Sequence, residues 1–171
     1  MTKARYRDAS VGGCVEAEVR THADGSIWLR STEALRWYPE RLTDCLQQWA
    51  TEAPGRSFVA RRVHGGDWRH VSYADMLQRV QAVGQALVDM GLSPERPLAV
   101  LSGNDIEHLT LSLAAQWVGV PCVTISTAYS LVSQDFGKLR HILATSTPGL
   151  VFASGPEYAR AVLATVTEDV P

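Results

Sequence analysis

Lysine is nearly missing from this sequence. Of 16 basic residues only Lys3 and Lys138 are lysines, and the other fourteen are arginines. Cysteine is scarce as well: Cys14, Cys45 and Cys122 are odd in number and far apart. No Cys-x-x-Cys pair and no Cys/His cluster at zinc spacing occurs, which argues against a disulfide framework and a zinc site. The three thiols are expected to behave as small, partly buried apolar side chains in a reducing compartment. Charge of one sign is also lacking, since 16 basic and 18 acidic residues leave a net charge of −2. A nucleic-acid module would present a strongly basic face. No apolar run approaches the roughly 18 residues that span a membrane. The start, Met1-Thr2-Lys3-Ala4-Arg5-Tyr6-Arg7-Asp8, has no apolar stretch behind its charges and does not read as a signal peptide. The expectation is a cytoplasmic protein without a nucleic-acid or membrane partner.

What is present is an ordinary globular composition, 46% apolar and 20% charged over 171 residues. Three regions emerge. In residues 1–38, Val15, Ala17 and Val19 alternate with polar neighbours, the period-2 signature of a half-exposed strand. Asp24-Gly25 supplies a turn and Ile27-Trp28-Leu29 a return strand, so a β ribbon packed on a larger body is expected. Residues 39–92 open with a helix whose apolar face is Leu42, Cys45, Leu46, Trp49 and Ala53. A hairpin follows, Phe58-Val59-Ala60 with Trp68-Arg69-His70-Val71, joined through Gly65-Gly66. Ser72 then caps a long helix, with Asp75 completing a capping box and Tyr73, Met76, Val80, Val83 and Leu87 inward.

The third region, 97–171, repeats one unit three times. Leu98–Leu101, Val120–Ile125 and Leu150–Ala153 are short apolar strands. Helices are expected from Asn104 (the cap, with Glu107 at the third helical position), from about Ser133 to Thr145, and from Pro156. Strands alternating with amphipathic helices mean βαβ units. The fold class is therefore α/β, a parallel sheet with flanking helices plus an N-terminal β ribbon. Such sheets bind ligands outside the carboxyl ends of their strands, here residues 102–105, 126–132 and 154–156.

The first of these, Ser102-Gly103-Asn104-Asp105, has one glycine where a dinucleotide fingerprint needs three. Helix capping accounts for Asn104 and Asp105. The second, Ser126-Thr127-Ala128-Tyr129-Ser130, brings several hydroxyls to the end of a strand. Ser126, Thr127, Tyr129 and Ser130 are the candidate substrate-lining residues; the plainer alternative is that they satisfy local backbone. Ser154-Gly155-Pro156 reads as a helix start. His22, His64, His70, His108 and His141 have no partner at triad spacing, and no Gly-x-Ser-x-Gly elbow exists. Arg61 and Arg62 could grip a phosphate, but they fit a solvated β edge better. A phosphate-cradling loop needs glycines and usually a lysine; Lys138 follows Gly137 inside an expected helix, with no further glycine nearby. No catalytic residue or metal ligand can be named from local pattern.

Taken in order, several segments resemble one superfamily. They are Trp49-Ala50 to Pro54-Gly55, Trp68 to Met76, Gly91-Leu92, Leu101-Ser102-Gly103-Asn104-Asp105-Ile106-Glu107-His108, and Leu113-Ala114-Ala115-Gln116-Trp117-Val118-Gly119-Val120-Pro121-Cys122-Val123-Thr124-Ile125-Ser126. The series, covering about residues 36–155, resembles the N-terminal portion of the acyl- and aryl-adenylating enzymes. Tyr38-Pro39-Glu40-Arg41-Leu42, Leu101-Ser102-Gly103-Asn104, Glu107-His108 and Ser126 to Leu131 make it most similar to the feruloyl-CoA synthetase branch.

The resemblance implies a two-step reaction. ATP and a carboxylic acid give an acyl-adenylate and pyrophosphate with Mg²⁺, and CoA then gives the thioester. The family's Ser/Thr/Gly-rich phosphate loop, aromatic-Gly-x-Thr-Glu segment, ribose-binding Asp and late lysine do not occur, and the sequence stops at Val170-Pro171 ahead of where the family places them. The expectation is an N-terminal fragment, with residues 1–38 an extension and 39–171 an incomplete α/β subdomain. It would be inactive alone and hold no cofactor, while the parent enzyme uses ATP, Mg²⁺ and CoA on an aromatic or other acyl acid. Its partner would be the remainder of the ligase chain. Two alternatives stand beside this one. One is a binding or interaction module that pairs with a separate catalytic chain, or self-associates through its incomplete sheet. The other is a different α/β nucleotide binder.

Overall fold

The computed structural model describes residues 16–63 and 65–167. Lys3, Cys14, Val15, His64 and the end of the chain, Val170-Pro171, lie outside the described residues. The chain divides into two units, residues 1–39 and 40–171.

In the first unit β1 (Ala17–Thr21) pairs antiparallel with β2 (Ile27–Ser31), with Val19 opposite Leu29. Gly25 takes φ 84°, a conformation only glycine adopts freely, and Asp24 Oδ1 accepts the Ser26 N–H at 2.9 Å to close the turn. The alternation puts Val19, Ile27 and Leu29 on one face and Glu18, Arg20, Trp28 and Arg30 on the other. All ten strand residues are exposed, so this ribbon carries no core of its own.

The second unit opens with α1 (Leu42–Glu52). Its inward face is Thr43 and Leu46, whereas Leu42, expected inward, is 65% exposed. The hairpin β3 (Ser57–Arg62) and β4 (Trp68–Ser72) pairs antiparallel, with Arg61 opposite Arg69 and Arg62 opposite Trp68. Helix α2 (Tyr73–Asp89) begins at the capping box expected for Ser72 and Asp75. It packs Met76, Val80 and Leu87 inward and crosses the next helix at Gly84.

The three apolar runs form one parallel sheet: β5 (Leu98–Leu101), β6 (Cys122–Ile125) and β7 (Leu150–Ala153), in the order β6-β5-β7. Leu98 aligns with both Cys122 and Leu150. The central strand is buried at every residue. Because side chains alternate, Leu98 and Val100 enter a cluster with α2 and α3 (Ile106–Trp117), including Met76, Val80, Leu113 and Ala114. Ala99 and Leu101 enter a second cluster on the other face with Phe136, Leu139, Tyr158 and Ala161. Both faces are covered, as a parallel sheet requires.

Two boundaries differ from the sequence expectation. The N-cap of α3 is Asp105, not Asn104: Asp105 Oδ1 accepts the His108 N–H at 2.6 Å. The Ser102 hydroxyl donates to Asp105 Oδ2 at 2.6 Å, which favours Asp105 over its neighbour. The helix expected from about Ser133 to Thr145 is α5 (Gly137–Ser146), and a short helix, α4 (Ala128–Leu131), occupies the segment expected as a loop. Ser133 Oγ accepts the Phe136 N–H at 3.0 Å and Asp135 Oδ1 accepts the Gly137 N–H at 3.1 Å, so these side chains hold a local turn and α5 starts four residues late. Phe136 takes a left-handed φ of 54° at that junction. A 3₁₀ turn (Pro156–Tyr158) leads into α6 (Ala159–Thr165).

Candidate ligand-binding site

From β5 the chain moves to one neighbour, β6, and then crosses to the other, β7, so β5 is the point where strand order reverses. Open α/β sheets bind ligands in the crevice outside that point. Loops leaving all three strands line such a cleft here, with a volume of about 560 Å³. Gly103 and Asn104 come from the end of β5, Thr127 from β6, and Ser154 and Glu157 from β7, with Arg61 reaching in from β3. The loop after β5 is tightly held. The Ser102 hydroxyl bonds Asp105, and His108 Nδ1 lies 3.0 Å from the Gly103 carbonyl oxygen. A carbonyl only accepts, so Nδ1 carries a proton in this contact.

A second lobe of about 620 Å³ shares Arg61, Asn104 and Asp105 with the first and runs between β3 and the first turns of α3. Val59, Ile106 and Leu109 supply apolar walls, and Trp68 and Arg62 close one side. The Arg62 guanidinium lies 5.1 Å from the Trp68 ring centroid. Arg61 stands 3.7 Å from Glu107, with 58% of its side chain exposed, so the pair is loose.

The two lobes differ in charge. The first carries Asp105, Glu107 and Glu157 against Arg61; the second carries Arg61 and Arg62 against Asp105. The first lobe does not fit a triphosphate, because carboxylates outnumber its one cation and no lysine lines it. Among the described residues, no group of three or more His, Cys, Asp or Glu is placed to hold a metal ion. No helix among them is long and apolar enough to cross a membrane.

The structure places the four hydroxyl residues singled out in the sequence in different surroundings. Thr127 lines the first lobe. Ser126 is exposed, its carbonyl accepting the Tyr129 N–H at 3.0 Å. Tyr129 turns toward Lys138, whose Nζ is 5.2 Å from its ring centroid, in a shallow depression with His141. Ser130 is buried and its Oγ finds no hydrogen-bond partner. Arg61 and Arg62, read as a solvated edge, both line the second lobe. Trp68, Glu107, His108 and Glu157 were not singled out as lining residues. For His108 a signal existed, since it lies in the first turn of a helix leaving the carboxyl end of a strand. Cys122 opens β6 with its Sγ 3.7 Å from Ser112 Oγ, and burial pushes its thiol pKa up, so it is no activated nucleophile.

The AMP-binding enzyme family matches residues 46–170. The chain belongs to that family. No curated protein matches it. Solved structures share its fold. A fatty acyl-adenylate ligase from L. pneumophila, in complex with acyl adenylate and pyrophosphate, aligns with a TM-score of 0.62 at 17% identity, over 77% of this chain and 22% of its own. VinN in complex with L-aspartate aligns with a TM-score of 0.64 at 22% identity, over 78% of this chain and 34% of its own. A fatty acid AMP ligase from Legionella pneumophila aligns with a TM-score of 0.59 at 18% identity, over 66% and 19%. The chain thus spans between a fifth and a third of these proteins, and its parallel sheet with flanking helices matches the N-terminal part of adenylate-forming enzymes.

Proposed function

We propose that this chain is the N-terminal part of an ATP-dependent acid–CoA ligase of the cytoplasm, which joins an aromatic acid such as ferulate to CoA through an acyl-adenylate. The family match over residues 46–170 carries the reading. The small share of each solved ligase that the chain spans supports a role as one portion of a larger catalytic unit. In this reading ATP, Mg²⁺ and CoA are handled by the remainder of the ligase. Residues 1–38 form an extension and 39–171 an incomplete subdomain. Ser126, Thr127, Tyr129 and Ser130 remain the proposed acid-side lining, with Thr127 the member that faces the cleft.

Adenylation needs cations to offset charge on the departing pyrophosphate, and the cleft at the sheet's carboxyl end is acidic. The isolated chain is therefore expected to show no acid-dependent ATP–pyrophosphate exchange. The full-length product of its coding sequence is expected to show exchange with ferulate above that with fatty acids. Exchange by the isolated chain, or full-length exchange that ignores aromatic acids, refutes the reading at the corresponding level.

Among the described residues β6 and β7 each pair with β5 alone, which favours a second reading, an interaction module that pairs with a separate catalytic chain. Sedimentation equilibrium would support it through self-association or capture of a complementary ligase piece. A strict monomer that captures none refutes it.

A further inference from the structure

We propose that a hollow at the amino ends of β5 and β7 binds a phosphomonoester that carries an apolar body. Its volume of about 620 Å³ falls in the ordinary range for small-molecule sites. Arg96 precedes β5 and Pro148 precedes β7, so the hollow sits at the opposite end of the sheet from the cleft at the carboxyl ends. Leu143 of α5, Val151 of β7 and Ala164 of α6 supply an apolar wall, with Val166 beyond it. Two guanidinium groups, Arg96 and Arg140, line the hollow, and among the described residues no carboxylate does.

Both arginines are placed by the fold and left without an ion-pair partner. Arg96 lies across Gly149, where a Cβ would stand 2.9 Å from its Cβ and 3.1 Å from its Nε, so glycine opens the course of this side chain. Arg140 Nη1 donates to the Ala164 carbonyl at 2.6 Å, which leaves its other N–H groups available. Among the described residues neither arginine forms an ion pair. The acids nearest to them in sequence are engaged elsewhere. Glu95 accepts the Ser93 hydroxyl at 2.9 Å, and Asp135 accepts the Gly137 N–H and the Ser133 hydroxyl. A phosphomonoester is close to a dianion at neutral pH and offers three acceptor oxygens, which matches two guanidinium forks. A carboxylate brings one charge for two cations, and inorganic phosphate leaves the apolar wall uncovered. The site goes beyond the ligase reading and does not depend on it. Binding asks only for the folded chain, so adenylation can fail while binding stands.

The test uses the 171-residue chain and three probes: phenyl phosphate, benzoate and inorganic phosphate. Titration calorimetry reads affinity. The Nε–H resonances of Arg96 and Arg140, assigned through Arg96→Gln and Arg140→Gln, read the place. Phenyl phosphate is expected to bind saturably and to shift both resonances, with benzoate and inorganic phosphate about tenfold weaker or worse. Its affinity should fall as pH drops through its second pKa, about 6. Each arginine variant should bind it about tenfold more weakly. Arg96 is exposed and its side chain makes no hydrogen bond among the described residues, so an unchanged unfolding midpoint for Arg96→Gln separates lost binding from lost folding. Glu168 and Asp169 follow Thr167 in sequence and lie outside the described residues. Glu168→Gln/Asp169→Gln should leave the affinity within about threefold. The proposal is overturned if phenyl phosphate does not saturate, if benzoate or inorganic phosphate binds as tightly, or if Arg96→Gln binds as the parent chain does. A tenfold gain in the Glu168→Gln/Asp169→Gln variant also overturns it, since the chain's own carboxylates would then be the occupant.

Discussion

Ser72 and Asp75 cap α2 reciprocally. Ser72 Oγ accepts the Asp75 N–H at 3.1 Å, while Asp75 Oδ2 takes the Ser72 hydroxyl at 2.7 Å and the Ser72 N–H at 3.4 Å. The pair ends β4 and starts α2 within one residue, which fixes how the hairpin meets the helix. Ser72→Ala removes an acceptor for an otherwise unpaired helix N–H, and a loss of about 1 kcal/mol is expected. Urea unfolding measures it. A change below a few tenths of a kcal/mol would mean that water replaces the cap at no cost.

Gly84 is where α2 meets α3. A Cβ there would lie 3.0 Å from Val118 Cγ1 and 3.5 Å from the Ala114 carbonyl oxygen. Gly84→Val therefore overpacks the crossing, at about 1–3 kcal/mol, despite the better helix propensity of a non-glycine residue. A fall in the thermal midpoint reads it out, and a rise would show that the two helices separate freely.

At the end of α5, Thr147 takes a φ of 44° and is exposed. A β-branched residue is strained there, and glycine is the usual occupant of a left-handed helix end. Thr147→Gly is expected to raise stability by about 0.5–1 kcal/mol, after the greater freedom of glycine in the unfolded chain is discounted. Phe136, at φ 54°, is no parallel case, because its ring is buried and its removal opens a cavity.

Asp135 accepts the Gly137 N–H and the Ser133 hydroxyl, which together hold its carboxyl below the ordinary 3.8. A depressed folded-state pKa adds stability that is present above pH 3.8 and is lost as pH falls through the lower folded value. Asp135→Asn should therefore be less stable than the parent chain at neutral pH, and the gap should narrow as pH drops below 3.8. Paired denaturation curves at neutral pH and pH 3 measure it; a gap independent of pH refutes the assignment.

Much of the fold was legible from local chemistry. Leu98–Leu101 and Leu150–Ala153 are apolar runs preceded by proline or glycine, and Ser72-x-x-Asp75 announces its helix. What stayed hidden depended on contacts distant in sequence or on choices between equals. Asn104 and Asp105 are both good caps, and only the Ser102 hydroxyl separates them. Leu42 fits the apolar period of α1, yet the buried face rotates to Thr43 and Leu46. In the candidate site, residues 126–130 look like one hydroxyl-rich loop. Successive residues of the short helix α4 point about 100° apart, so Tyr129 and Ser130 diverge from Thr127. The second lobe needs a hairpin residue, Trp68, to face a helix that begins 38 positions later, and no periodicity reports that.

The central strand has one further consequence, for the order in which the sheet is assembled. β6 and β7 hydrogen-bond to β5 and not to each other. Neither can find its register until β5 is in place, although β7 follows β6 in the chain. An emerging polypeptide that has reached Ile125 can already close the β5–β6 pair around α3. The second pairing must wait for Leu150, with Leu98 holding one edge open meanwhile. Loop closure of this length is a slow step in parallel sheets. The four residues Leu98–Leu101 thus act as a template used twice, and damage to them would stall both pairings together.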